Sequence, residues 1–170
     1  MPNERQHTTM VWRERMTFDG VTTTGHQITV DAPPEGGGDD RGPKPIELML
    51  TALAGCTAMD VLSILQKKRE PVEGLEVYVE GVRATEHPMI YTDIELVYRV
   101  RGNVKPASIA RAVELARAKY CGALAMLEKS AHIRTRIELL PLTAQLSTLA
   151  SVNESPFVRN LERMQHEWHN

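Results

Sequence analysis

Three short segments near the start of the chain predict β-strands, and in the third Ile28 and Val30 alternate with polar residues, as in a strand with one covered face. They are rich in β-branched and aromatic residues, and Asp19-Gly20 and Gly25 provide turn residues between them. The predicted strands lie within residues 8–15, 16–21 and 26–32. The glycine-rich stretch that follows has no Gly-Lys-Ser/Thr, so we expect a mobile surface loop rather than a phosphate-binding loop.

Residues 45–70 predict one long helix. Pro45 suits a first helical turn, Glu47 complements the helix dipole there, and Pro71 ends the segment after a basic last turn. Between these ends almost every side of the helix is apolar or small. We therefore expect a central helix that is buried on all sides.

The pattern then changes to strands and back to helices. Residues 75–82 and 90–102 alternate with period two and predict an antiparallel hairpin. Residues 105–131 are helical in pattern, with an interruption near Tyr120, and residues 132–140 predict a last strand. This order of elements is that of an α+β fold.

The sequence favours one domain over residues 1–140 and a separate C-terminal extension over residues 141–170. Apolar residues at helical spacing predict an amphipathic helix in the extension: Phe157, Leu161, Met164 and Trp168. We expect this helix to cover an apolar surface of its own chain or of a partner subunit, and a target-recognition helix is the alternative.

Composition narrows the functional classes. Of 170 residues, 42% are hydrophobic and 25% charged, with a formal net charge of −2 and no basic block, so neither nucleic acid nor an anionic membrane is favoured as a partner. The uncharged stretch 48–59 is too short to span a bilayer, and we expect a cytoplasmic protein.

In that reducing compartment the two cysteines, Cys56 and Cys121, would be catalytic, redox-sensing or inert. They form no CxxC motif and no zinc-type cluster with histidine, so we expect no metal.

Two cysteine segments together resemble one known family. "KPIELMLTALAGCTAMDVLSILQKKR" and "AVELARAKYCGALAMLEKSAHI" resemble, in order and separation, the segments of the osmotically inducible protein C and organic hydroperoxide resistance proteins. The resemblance covers roughly residues 8–140, and "WRERMTFDGVTTTGHQITVDAPP" is most similar to the YhfA-like branch. It implies an intertwined homodimer, with antiparallel sheets around central cysteine-bearing helices.

The same resemblance implies a thiol-dependent peroxidase that reduces organic hydroperoxides. Cys56 would attack the peroxide and become a sulfenic acid, and Cys121 would resolve it to a disulfide. An external dithiol, on a lipoyl protein or a thioredoxin-like protein, would restore both thiols. No metal and no organic cofactor are implied.

Peroxide chemistry requires a thiolate at Cys56. An apolar helix raises a thiol pKa, and Cys56 lies about three turns from the helix start, beyond the reach of the helix dipole. A cation must therefore come from elsewhere, and the resemblance implies an arginine from the first hairpin, held by a carboxylate before the central helix. Arg15 or Arg13 are the candidates, expected on one face of an extended strand; solvated surface charges are the alternative.

The carboxylate that would hold this arginine stands at a different position from the one in the family pattern. The well-known peroxidases carry glutamate ten positions before the cysteine, where this chain has Ile46, and Glu47 stands nine before. Nine residues turn an ideal helix by about 900°, which puts Glu47 opposite Cys56. Glu47 can help only through a non-helical start or across a dimer, and the alternative role is a first-turn dipole partner. Many members of the family also have a proline directly after the second cysteine, where this chain has Gly122.

Other functions remain open. Free cysteines pack as small hydrophobes, so the protein could be a non-catalytic or redox-sensing binder of small hydrophobic ligands on the same fold. A further alternative is an interaction platform that uses the C-terminal helix.

Overall fold

The computed structural model describes residues 5–146, and the amphipathic helix predicted in the C-terminal extension lies outside them. The chain divides into two compact units, residues 1–53 and 54–170, which are described separately. Whether residues 1–140 behave as one domain stays a prediction.

The first unit contains a three-stranded antiparallel sheet in the order β1-β2-β3. The strands are β1 (Thr8–Glu14), β2 (Thr17–Thr22) and β3 (Gln27–Val30), which confirms the three predicted strands. The link between β1 and β2 is a two-residue turn, because Glu14 pairs directly with Thr17. All three strands are consecutive neighbours, so local turn residues suffice to set their order.

The glycine-rich segment after β3 is folded around a buried carboxylate, and in this respect the expectation of a mobile loop is wrong. Asp31 is 2% exposed and accepts hydrogen bonds from the backbone N–H groups of Ala32, Asp39 and Arg41 and from the Thr17 hydroxyl. Burial acts to raise its pKa, but these four donors prevail and lower it. The segment also contains a short 3₁₀ turn, Pro34–Gly36.

The long helix α1 (Glu47–Lys67) begins in the first unit and continues into the second. It is long and apolar enough to cross a membrane, with a mean hydropathy of 1.8 over its most apolar window, but core helices of soluble proteins pass the same test. Only 22% of that window is buried in the single chain, and Met59 is 74% exposed. The expectation that this helix is buried on all sides is therefore not met within one chain.

The second unit is built on a sheet in the order β4-β5-β6. The strands β4 (Val72–Arg83) and β5 (Tyr91–Gly102) form the predicted antiparallel hairpin. The last strand, β6 (His132–Leu140), pairs with β5 in parallel, which requires a crossover between them. Since β5 lies between two partners, its centre is almost fully buried, with the following residues at most 1% exposed: Ile94, Leu96, Val97, Tyr98 and Val100.

The crossover from β5 to β6 is helical and broken where the sequence predicted. It consists of α2 (Pro106–Leu115), one π-helical turn (Ala116–Tyr120) and α3 (Gly122–Leu127). The Cys121 N–H donates to the Ala116 carbonyl at 2.8 Å, which closes the wide turn. Such π-helical turns often occur at functional sites, and this one delivers Cys121.

Candidate active site

The two cysteines lie together in the second unit. The sulfur atoms of Cys56, on α1, and Cys121, at the break between α2 and α3, are within 4.8 Å of each other. Both are free thiols. Residues 65 positions apart in the sequence are thus brought within reach of disulfide formation by a modest side-chain movement.

The two thiols differ in accessibility. Cys56 is half-buried, whereas Cys121 is only 2% exposed. Burial raises the pKa of Cys121 to about 11, although the Leu124 N–H, which donates to its sulfur at 3.4 Å, acts in the opposite direction. Cys121 is therefore a protonated thiol at neutral pH, and Cys56 is the thiol that solvent reaches.

Asp60 is a third chemical group at this place, and the sequence reasoning missed it. A carboxylate oxygen of Asp60 lies within 4.8 Å of both cysteine sulfurs. Burial raises the pKa of this carboxyl group above its ordinary value. The spacing contained the signal, because Asp60 follows Cys56 by four residues and so shares its helix face.

A buried hydroxyl pair fixes the neighbouring part of α1 against the sheet. The side chains of Thr57 and Tyr98 are hydrogen-bonded at 2.6 Å, and both are at most 1% exposed. Burial raises the pKa of Tyr98, so its phenol stays protonated. This hydrogen bond between two buried side chains holds the helix that carries Cys56 and Asp60 in a defined rotation.

A cavity of about 310 Å³ opens beside Asp60. Its walls combine apolar and basic side chains from α1, α2 and the segments next to them: Ser63, Ile64, Lys67, Lys68, Arg111, Leu115 and Tyr120. Three of these side chains are cationic, so the cavity favours anionic or amphipathic molecules.

The predicted arginines lie in the first unit, each with an acidic partner there. Arg13 donates to Asp19 at 2.7 Å, and Arg15 pairs with Asp39 at 3.0 Å and donates to the Gly37 carbonyl. The expectation that Arg13 and Arg15 share one face of an extended strand is wrong. Arg15 follows the end of β1, in the tight turn, with a φ of 48°. Whether either guanidinium serves Cys56 stays a prediction.

Glu47 is the first residue of α1, and its carboxylate accepts the Lys44 N–H at 3.1 Å. This contact supports the helix start, as the alternative role of Glu47 in the first turn requires. A part for Glu47 in orienting an arginine stays a prediction.

Comparison with known proteins identifies relatives of this chain. Residues 37–136 match the family model of OsmC-like proteins. Protein YhfA of Escherichia coli (strain K12) is 42% identical over 130 residues, which cover 76% of this chain and 94% of YhfA.

Solved structures share the fold. A hypothetical protein from Aquifex aeolicus is 32% identical, with a TM-score of 0.72 over 81% of this chain and 98% of its own. An organic hydroperoxide resistance protein from Elizabethkingia anophelis is 13% identical, with a TM-score of 0.65 over 82% of this chain and 100% of its own. At that identity the second similarity establishes the fold alone.

Proposed function

Because the chain belongs to the family of OsmC-like proteins, we propose that it is a thiol-dependent peroxidase that reduces organic hydroperoxides through Cys56 and Cys121. The observation that carries this proposal is the pair of neighbouring thiols with unequal accessibility. Organic hydroperoxides enter the proposal as the substrate class for which a protein of the same fold is named.

The accessibility of the thiols supports a division of labour between them. Cys56 is the sulfur that a peroxide meets first, because Cys121 is buried and its pKa is about 11. A thiol that is protonated at neutral pH is a poor first nucleophile but can serve as the second, once a sulfenic acid stands beside it. Cys121 is accordingly the resolving residue.

The reaction proceeds in two steps. The Cys56 thiolate attacks one peroxide oxygen, the O–O bond breaks, and the alkoxide takes a proton and leaves as an alcohol. The Cys121 sulfur then attacks the Cys56 sulfenic acid, hydroxide leaves, and the thiol proton completes a water molecule. An external dithiol, on a lipoyl protein or a thioredoxin-like protein, reduces the disulfide. The cytoplasm, our proposed location, keeps such thiols reduced between turnovers.

Arg15 or Arg13 would stabilise the Cys56 thiolate in this scheme, with Glu47 as an orienting group. Both arginine side chains are more than half exposed, at 54% and 60%. Exposed ion pairs contribute about 0–1 kcal/mol, so exchanging an aspartate partner for a thiolate costs little.

Oxidation of the reduced protein tests the proposal directly. After one equivalent of cumene hydroperoxide, we expect mass spectrometry to show a loss of two hydrogens and a peptide joining Cys56 to Cys121. A binding or sensing protein on the same fold would instead keep both thiols reduced over the same time.

We also propose that the protein is a homodimer in which α1 is covered by the partner subunit. Large apolar side chains are exposed on its helices, including Met59 at 74% on α1 and Met126 at 69% on α3. An exposed apolar surface of this kind marks an interaction site, and the apolar pattern of α1 requires a cover that one chain does not provide.

Met59→Glu should weaken the dimer, because a charge at the interface must be desolvated. We expect the dimer dissociation constant to rise at least about tenfold, equivalent to about 1.4 kcal/mol. Sedimentation over a concentration series measures it, and Gln6→Glu, which adds the same charge at an exposed site outside α1, is the control. A wild-type protein that stays monomeric throughout the series contradicts the proposal.

A further inference from the structure

The cluster at the two thiols contains three groups that bind metals. The sulfurs of Cys56 and Cys121 and a carboxylate oxygen of Asp60 all lie within 4.8 Å of one another. Cys56 and Asp60 come from successive turns of α1, and Cys121 comes from the break between α2 and α3. Three donors from two separate elements therefore converge on one point.

One carboxylate oxygen of Asp60 lacks a hydrogen-bond partner within the described part of the chain. Its Oδ2 atom is buried and accepts no hydrogen bond there. A buried carboxylate oxygen left unsatisfied costs a substantial part of its hydration free energy, so such atoms are rare and call for a ligand or a functional explanation.

We propose that the reduced protein binds a thiophilic divalent cation of the zinc class through Cys56, Cys121 and Asp60. Thiolates select such cations over magnesium or calcium, and a carboxylate is an accepted third ligand. Binding displaces the thiol protons to solvent, and the two thiolates and the carboxylate then carry three negative charges, which a divalent cation largely neutralises. Three protein ligands leave the fourth tetrahedral position for water.

The distances suit this geometry after a small contraction. Donors bound to tetrahedral zinc at 2.0–2.3 Å lie about 3.3–3.8 Å apart. The donor atoms of the three side chains lie within 4.8 Å of one another, so side-chain movements of about 1 Å bring them to these separations. Cys121 is placed by the backbone of the π-helical turn, and Cys56 and Asp60 are one helical turn apart, so the site is largely preformed.

A bound cation would compete with peroxide for the sulfur of Cys56. The metal-bound protein would hold its thiols in a protected state, and oxidation of both thiols to a disulfide would remove two of the three ligands and release the cation. This site goes beyond the proposed peroxidase function and does not depend on it, because metal binding needs no peroxide.

Cobalt titration of the reduced full-length protein tests the site, because Co²⁺ reports thiolate ligation by a near-ultraviolet charge-transfer band and tetrahedral geometry by its visible bands. We expect one equivalent per chain, displaced by Zn²⁺. Asp60→Asn should keep the band and weaken binding about tenfold or more, and Cys121→Ser should remove most of the band. Asp40→Asn, at an exposed loop carboxylate, is the matched control and should bind like the wild type.

X-ray absorption at the zinc edge of the zinc-loaded wild-type protein is a second test of the site, and it requires no variant. We expect two sulfur scatterers at about 2.3 Å and two oxygen scatterers at about 2.0 Å. The proposal is overturned by a titration without a thiolate band, by an Asp60→Asn protein that binds as tightly as the wild type, or by zinc surrounded by oxygen and nitrogen alone.

Discussion

Replacing Cys56 by serine should abolish the reduction of cumene hydroperoxide, lowering the turnover rate by about three orders of magnitude or more. A serine hydroxyl is not ionised near neutral pH and does not attack peroxide oxygen, so the first step has no nucleophile. Cys121 cannot take its place, because it is 2% exposed and its pKa is about 11. Peroxide consumption with dithiothreitol as the reductant measures the effect.

Thr51→Ser is the matched control for this experiment, since it changes an exposed side chain of the same helix by one methyl group. It should turn over like the wild type. Wild-type turnover by the Cys56→Ser protein would show that another group is the nucleophile and would remove the peroxidase assignment. Circular dichroism of both variants ensures that a loss of rate is not a loss of fold.

Most of the fold could be predicted because its signals are local. Alternation and turn residues define the hairpins, and a proline ends α1 before β4 begins at Val72. The interruption near Tyr120 also follows from local sequence, since a π-helical turn and the α3 start at Gly122 replace a continuous helix there. Each of these features depends on a few neighbouring residues.

The candidate site was only partly predictable, because its residues meet through the tertiary fold. The family resemblance identified Cys56 and Cys121 as site residues. It did not identify Asp60, which lies beside them. A single carboxylate within an apolar helix, one turn from a cysteine, was the available signal. Partial withdrawal from water raises the pKa of this carboxyl group, and perturbed pKa values are frequent at functional sites.

The prediction that Arg13 and Arg15 share one strand face is wrong for a physical reason. Arg13 and Arg15 would share a face if β1 continued, but a two-residue turn at residues 15–16 forces Arg15 into the left-handed region. A hairpin of that length requires positive φ values, which no pattern of apolar residues reveals. The apolar pattern of α1 likewise predicts that the helix is covered but does not identify the covering surface, and the single chain buries only 22% of its most apolar window.

Replacing Cys121 by serine should separate the two chemical steps. The variant should consume one equivalent of hydroperoxide per chain and then stop in the absence of a thiol reductant, with Cys56 held as a sulfenic acid. Serine cannot attack that sulfur, and the site offers no other thiol, because the chain contains only two cysteines. Dimedone labelling followed by mass spectrometry should detect the sulfenic acid at Cys56, and excess peroxide should carry it on to the sulfinic acid.

The wild type provides the comparison, since its sulfenic acid should disappear into the disulfide before dimedone reacts. With a lipoyl or thioredoxin-like reductant we expect continued turnover of the wild type and little of the variant, because these dithiols act on the disulfide. Equal turnover of both proteins would mean that the external thiol attacks the Cys56 sulfenic acid itself. Cys121 would then have no resolving role, and its position beside Cys56 and Asp60 would have to be explained by metal binding or by packing.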